Sequence, residues 1–233
     1  MILRRDETFR VVFNLRTPTS PNSEEVGTGI FVVKPHGEMY MVTAGHVAKT
    51  SNINTEVVIS DKFGNAKSHP LVGFNSQLAW RHHPAADLAV IQIYPTSEIE
   101  ADLENRFFPY DHFELNRLAP SRDFELTCVG FPNGLGATGL FNPLTYRSYA
   151  SSSLITMNRF DTFTQSEFFL LENPSVGGYS GCPVFDLAYM VVGSMTTTKE
   201  KTICYGIMHG TLGDSTGGKL AAVTPAHYLS YII

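Results

Sequence analysis

Short β-favouring runs, one after another with turn chemistry between them, constrain this chain more than any other feature. In the first half they are Phe9–Leu15, Gly27–Val33, Glu38–Thr43, Glu56–Ser60, Pro70–Phe74 and Asp87–Ile93. After a polar connection at Asn116–Asp123 come Glu125–Gly130, Ser148–Met157, Glu167–Leu171, Cys182–Phe185, Ile203–His209 and Lys219–Val223. Apolar runs of this length, bounded by Gly, Pro, Asn and Asp, read as strands. Two sets of six predict an all-β protein made of two six-stranded antiparallel β-barrels, residues 1–115 forming the first and 116–233 the second. The tail Thr224–Ile232 has an N-cap Thr, a Pro at the first helical position and apolar spacing, and predicts a short closing helix.

Composition supports a folded chain. Apolar residues make up 43% of the 233 and charged residues 17%, enough apolar matter for a sizeable core and too little charge for disorder. A net charge of −5, with no basic stripe beyond Leu3-Arg4-Arg5, argues against a nucleic-acid partner. No apolar run reaches the roughly 18 residues of a membrane span, so no membrane partner is expected. Met1–Glu7 lacks the apolar stretch of a secretion signal, which predicts a cytoplasmic protein. The three cysteines, Cys128, Cys182 and Cys204, are odd in number and sit in apolar strand contexts. They read as small buried hydrophobes in a reducing compartment. No CxxC or HxxxH spacing supports a metal site, and no cofactor is expected.

Chemistry enters through three segments set far apart: Thr43-Ala44-Gly45-His46, Ala86-Asp87-Leu88-Ala89 and Gly177-Gly178-Tyr179-Ser180-Gly181-Cys182-Pro183. A serine hydroxyl is a weak nucleophile until a neutral imidazole takes its proton. The imidazole needs a carboxylate to fix its tautomer and to stabilise the imidazolium that forms. His46 follows a strand end, and Asp87 opens an apolar run where an unpartnered carboxylate would be costly to bury. Ser180 is flanked by glycines, on a turn where the backbone N–H groups of Gly178 and Ser180 are spaced to hold a developing oxyanion. Each segment has a bland reading alone: a turn before a strand, a capping Asp, a glycine-rich loop. Cys182, two residues past Ser180, lies off the glycine-flanked turn and is expected to pack beneath it.

With Val129-Gly130-Phe131-Pro132 and Tyr205–Gly210, these segments resemble the trypsin-like, chymotrypsin-fold serine peptidases of the bacterial intracellular type, from about Thr8 to the C-terminus. The resemblance implies His46 as general base, Asp87 as its orienting carboxylate, Ser180 as nucleophile and Gly178 with Ser180 as oxyanion donors. It implies a serine endopeptidase acting on a protein or peptide substrate, with a restricted range of targets. A second reading is a quiet or latent module of the same fold that holds a peptide and answers to a regulatory partner protein.

Two departures and one open question follow from the resemblance. Tyr179 stands where secreted zymogens of the family carry an aspartate that pairs with a new amino terminus, so that activation route is excluded. The glycine-rich Pro132–Gly139 lacks the Lys-Ser/Thr ending of a phosphate loop and reads as a mobile loop near the cleft. The long connection 186–202 is expected to be a surface insertion, an extra β-ribbon or a partner-binding flap. Substrate choice is open. The family's primary pocket corresponds to Asn173, Pro174 and Ser175 on one wall and Met208, His209, Gly210 and Thr211 on the other. No acidic residue is there to receive Arg or Lys. Either Ser175, His209 and Thr211 bind a Glu or Gln side chain of the substrate, or His209 supports the carboxylate of Asp87. The remaining histidines, His36, His69, His82, His83, His112 and His227, are expected to face solvent.

Overall fold

In the computed structural model the chain is described throughout except at Phe160, Gly193 and Ser194, and at residues 189–192, 196 and 197 by its backbone only. The first half folds as β1 (Val12–Ser20), β2 (Ser23–Val33), β3 (Met39–Thr43), β4 (Glu56–Ser60), β5 (Ala66–Pro70), β6 (Arg81–His82), β7 (Ala89–Gln92) and β8 (Phe108–Pro109). These form one sheet in the order β5-β4-β1-β2-β3-β7-β6, with β8 beside β2. The second half supplies β9 (Leu126–Gly130), β10 (Leu144–Ser148), β11 (Ile155–Asn158), β12 (Gln165–Leu171) and β13 (Pro183–Asp186), followed by a ribbon of β14 (Tyr189–Val192) and β15 (Met195–Thr198). It ends with β16 (Ile203–Gly213) and β17 (Lys219–Pro225). Its sheet runs β10-β9-β13-β16-β17-β12-β11. All pairings are antiparallel except the parallel contact of β2 with β8. This is the two-barrel, all-β architecture expected.

The expected strand count does not hold. The first sheet gains the two-residue strands β6 and β8, so it has eight strands where six were expected, and the second has seven. The run Ser148–Met157 is two strands, β10 and β11, separated by an irregular segment in which Ser151 N–H bonds to the carbonyl of Leu170. The strand expected at Pro70–Phe74 lies earlier, at β5. Pro70 has no N–H to continue a ladder, and Leu71–Gly73 turns into a 3₁₀ helix whose first N–H reaches the carbonyl of Thr55. The N-terminal segment Arg5–Val11 is also 3₁₀ helix, so the strand expected from Phe9 begins at Val12. The closing helix is a 3₁₀ turn, Ala226–Tyr231; Thr224 and Pro225 still belong to β17, and Pro225 is its N-cap.

Apolar side chains fill each sheet's inner face. Phe13, Phe31, Met41, Phe74 and Ile91 pack together in the first half, and Cys128, Phe169, Cys182, Val184 and Met208 in the second. A third cluster crosses between the halves, joining Val12, Ile30, Val42 and Val90 to Val129, Phe131, Phe185 and Ile207. Burying so many large side chains, each contributing on the order of 1.5–3 kcal/mol, ties the two halves into one body. The site lies where they meet.

Four histidines expected to face solvent are buried: His69, His83, His112 and His227. Each has found a partner far off in sequence. His69 meets Asp102 at 3.0 Å, and His112 lies 3.1 Å from the carbonyl of Thr202. His83 lies against the rings of Tyr228 and Tyr231, and His227 Nε2 is 3.7 Å from the Glu167 carboxylate. His36 and His82 are exposed as expected. The connection 186–202 is a β-ribbon, with Tyr189 opposite Thr198 and Val192 opposite Met195. Most of its expected apolar half, Met190–Met195, lies outside the described side chains.

Candidate active site

His46 is the second residue of a one-turn helix, α1 (Gly45–Thr50), which starts directly after β3. The first N–H groups of a helix have no partner within it, and here a side chain from another strand takes one. Asp87 Oδ1 accepts the backbone N–H of His46 at 2.8 Å, while Asp87 Oδ2 lies 2.7 Å from His46 Nδ1. One carboxylate therefore fixes both the backbone and the ring of His46. Gly45 packs closely here: a Cβ there would lie 3.0 Å from Asp87 Oδ1 and press on the carboxylate.

Asp87 sits just before β7 with no exposed surface. The turn carrying it is shaped by His83, whose Nδ1 accepts the N–H groups of Ala85 and Ala86 at 3.1 and 2.8 Å. Two further cationic or donor groups reach the carboxylate. His209 Nδ1 on β16 is 2.5 Å from Oδ2, and Arg159 Nη2, just past β11, is 3.1 Å from Oδ1. Burial opposes ionisation of Asp87. The hydrogen bonds from His209 and His46, with their positive charge, outweigh it and hold the carboxyl well below the usual carboxylate range. For His46, burial disfavours the charged ring, but the hydrogen bond and charge of Asp87 leave its pKa raised above 6.5.

Ser180 belongs to a loop held by steric demands. Gly178 has φ +94°, and a Cβ on it would lie 2.2 Å from the carbonyl of Phe131. Gly181 has φ +88°, and a Cβ there would lie 2.0 Å from the carbonyl of Thr28. Only glycine meets both conditions without strain. Thr28 on β2 anchors this loop from the opposite half: its N–H donates to the Ser180 carbonyl at 2.8 Å and its hydroxyl to the Gly178 carbonyl at 2.7 Å. With that carbonyl turned into the protein, the N–H groups of Gly178 and Ser180 have no protein acceptor among the described residues, whereas Tyr179 N–H bonds to Val176. Gly177, Gly178, Ser180, His46 and Val47 line one cleft of about 260 Å³. The Ser180 hydroxyl donates to the His209 carbonyl at 3.2 Å and makes no hydrogen bond to His46.

Asp87, His46 and Ser180 thus come together, and so do the two amides. Of the three residues of the expected substrate pocket, one touches Asp87 and two touch each other. His209 is buried, its ring 5.0 Å from that of Phe168, and its Nδ1 is committed to Asp87. Thr211 donates to the Ser175 carbonyl at 2.7 Å, joining the two walls to each other, and neither residue lines the cleft shared by His46 and Ser180. Cys182 is fully buried beside Cys128, with burial pushing its thiol well up, the opposite of what a nucleophilic thiolate needs. All three cysteines are free. Tyr179 packs edge-on against Tyr146, their ring centres 4.9 Å apart. Arg159 and Thr28 escaped the sequence reading.

A family model for the trypsin-like peptidase domain matches residues 27–193, from within β2 through the Ser180 loop into the ribbon. The chain belongs to that family. It is a serine endopeptidase of the trypsin-like fold. Among solved structures, the Rv3671c protease of M. tuberculosis in its active form superposes with a TM-score of 0.63 at 17% identity, covering 96% of this chain and 79% of that one. A serine endoprotease from Yersinia pestis gives 0.54 at 18% identity, and the peptidase spans 61% of its length and 96% of its own. Human heparin binding protein gives 0.57 at 11% identity, covering 100% of this chain and 93% of that one. At these identities the likeness is one of fold. No match to a curated protein sequence reaches significance.

Proposed function

We propose that this peptidase cleaves peptide bonds through His46, Asp87 and Ser180, with Gly178 and Ser180 as oxyanion donors. The observation that carries the reading is the 2.7 Å contact of His46 Nδ1 with a carboxylate that has no exposed surface, behind a cleft lined by Ser180 and two unclaimed amides. Asp87 keeps the proton on Nδ1, so Nε2 is the basic nitrogen. To attack, the Ser180 hydroxyl turns from the His209 carbonyl toward Nε2 and gives up its proton as Oγ bonds to the scissile carbonyl. The carbonyl oxygen takes the charge and the two amides receive it; one such donor typically contributes about 10²–10³ in rate. His46 then protonates the leaving amine, and water repeats the sequence on the acyl-enzyme.

The resting contact between Ser180 and the His209 carbonyl favours a latent form of the same enzyme, in which peptide binding or a regulatory partner frees the hydroxyl. The substrate is an extended segment of protein or peptide, from a restricted set of targets. Three buried free thiols agree with a reducing, cytoplasmic setting. Among the described residues no helix is long and apolar enough to cross a membrane.

A fluorophosphonate probe tests the reading. Covalent labelling of the folded protein at Ser180, lost in Ser180→Ala, is expected. Labelling that appears only after peptide is added identifies the latent form. Hydrolysis that persists in Ser180→Ala overturns the assignment.

A further inference from the structure

Asp87 is held from behind by a group that none of the three motifs contains. Arg159 lies at the mouth of the β11–β12 turn, its side chain 9% exposed. Nη2 reaches Asp87 Oδ1 at 3.1 Å and Asp161 Oδ2 at 2.6 Å, Nε reaches Asp161 Oδ1 at 2.9 Å, and Nη1 reaches the carbonyl of Ala85 at 3.1 Å. One planar fork therefore spans the carboxylate and the turn that carries it, a geometry a lysine cannot reproduce. We propose that Arg159 is a positioning residue: it fixes the Asp87 carboxylate through Oδ1, leaving Oδ2 to the rings of His46 and His209, and its permanent charge offsets part of the pull of Asp87 on the His46 proton.

The proposal rests on the triad reading and extends it. A buried carboxylate next to an imidazole favours the imidazolium, and too strong a bias would leave the base protonated at neutral pH. A guanidinium does not titrate in proteins, so Arg159 offsets part of that bias at every pH. Asp161 offsets Arg159 in turn. The effects on His46 have opposite signs: Asp161 raises its pKa and Arg159 lowers it. The charged and titratable groups facing this centre are His46 and Lys49 on α1, His82 on β6, His83 just after it, Asp87, His209 on β16, and Arg159 with Asp161 on the β11–β12 turn. Among these, Arg159 is the cation that contacts Asp87 and does not titrate.

The test reads the His46 titration directly, by NMR of its ring C–H signals in the Ser180→Ala protein, and in parallel by the pH dependence of kcat/KM in the active protein. In Arg159→Gln the midpoint should rise, and kcat at the optimum should fall about tenfold. In Asp161→Asn the midpoint should fall. Arg159→Lys keeps the charge and loses the fork, so its midpoint should stay at the wild-type value while kcat drops; this variant decides the matter if Arg159→Gln does not fold. Midpoints unchanged in both Arg159→Gln and Asp161→Asn, or a lysine variant that shifts as far as the glutamine one, overturn the proposal. The NMR midpoint needs no turnover, so a protein that titrates as expected yet never labels with fluorophosphonate indicts the triad reading and spares this one.

Discussion

The two halves of the peptidase prepare their parts of the site by different physics. The first half holds its His46–Asp87 pair by hydrogen bonds: Asp87, with no exposed surface of its own, accepts from the His46 backbone and ring and, from the second half, from His209 and Arg159. The second half holds its nucleophile loop by shape: two glycines at positive φ whose Cβ atoms would strike backbone carbonyls, with Thr28 of the other half bonded across. The first pair is assembled at rest, whereas the Ser180 hydroxyl is turned away from it. Hydrogen bonds around a buried charge are individually strong and order a group without substrate. A steric cradle orders the backbone and leaves a hydroxyl free to rotate. The difference separates what is ready before substrate arrives from what substrate must complete.

The largest effect should come from the second half. Ser180→Ala removes the proposed nucleophile, and kcat should fall by about 10⁶ with thermal stability changed by about 1 kcal/mol or less, since one weak hydrogen bond is lost. A large loss of stability in calorimetry would mean that the serine also holds the loop, and the contrast between the halves would be less sharp.

Asp87→Asn strikes the first half. It removes the acceptor that fixes the His46 tautomer, and kcat should drop by about 10⁴. Stability should respond differently from Ser180→Ala. Asp87 has its carboxyl depressed in the fold, so its contribution is present at neutral pH and is lost as pH falls through and below the ordinary carboxylate range. Unfolding midpoints of wild type and Asp87→Asn should therefore keep a steady gap from neutral pH down to the ordinary carboxylate range and draw together only as pH falls below it. A gap that stays constant into strong acid would break the argument that the first half is built on charge. His46 titrates with a raised value, so kcat/KM should fall as pH drops through a point above 6.5, and a flat profile from pH 5 to 8 would remove histidine as the base.

Gly178→Ala tests the steric half. The added methyl would lie 2.2 Å from the Phe131 carbonyl at a φ of +94°. The peptide must then rotate and withdraw one amide, so kcat should fall by about 10²–10³, with KM little changed. A rise in KM at constant kcat would place the glycine in substrate binding instead.

Sequence and structure agree where chemistry is written locally and part where it depends on distant partners. His46, Asp87 and Ser180 were legible because each is embedded in a short motif whose neighbours have local jobs: Gly45 makes room beside Asp87, Gly178 and Gly181 take positive φ. Most strands were legible from apolar runs and turn residues. Arg159 was not. Its ion pair joins positions 72 apart, in a segment with no period and no motif. Thr28, bonded across 150 positions to Gly178, looked like an ordinary strand residue. The buried histidines were misjudged for the same reason, since polar sequence surroundings say nothing about a partner such as Asp102, 33 positions from His69. His209 was readable only as a pair of alternatives, because the choice depends on which way its ring points.

That choice yields the smallest predicted effect. With Nδ1 2.5 Å from Asp87 Oδ2 and the ring buried against Phe168, His209 is placed as the alternative that supports the carboxylate requires. His209→Ala deletes one donor to a buried anion, a loss of about 1–3 kcal/mol, or roughly 5- to 150-fold in rate if it is felt at His46. Because the fault lies behind the triad, kcat/KM for matched peptides carrying Glu, Gln, Leu or Ala before the scissile bond should fall by the same factor. A reader of substrate would instead lose its Glu or Gln preference and spare the others. Asp87 retains the His46 and Arg159 contacts in this variant, so the loss should stay well below that of Asp87→Asn. Equal losses in the two variants would show that His209 alone keeps the carboxylate in register.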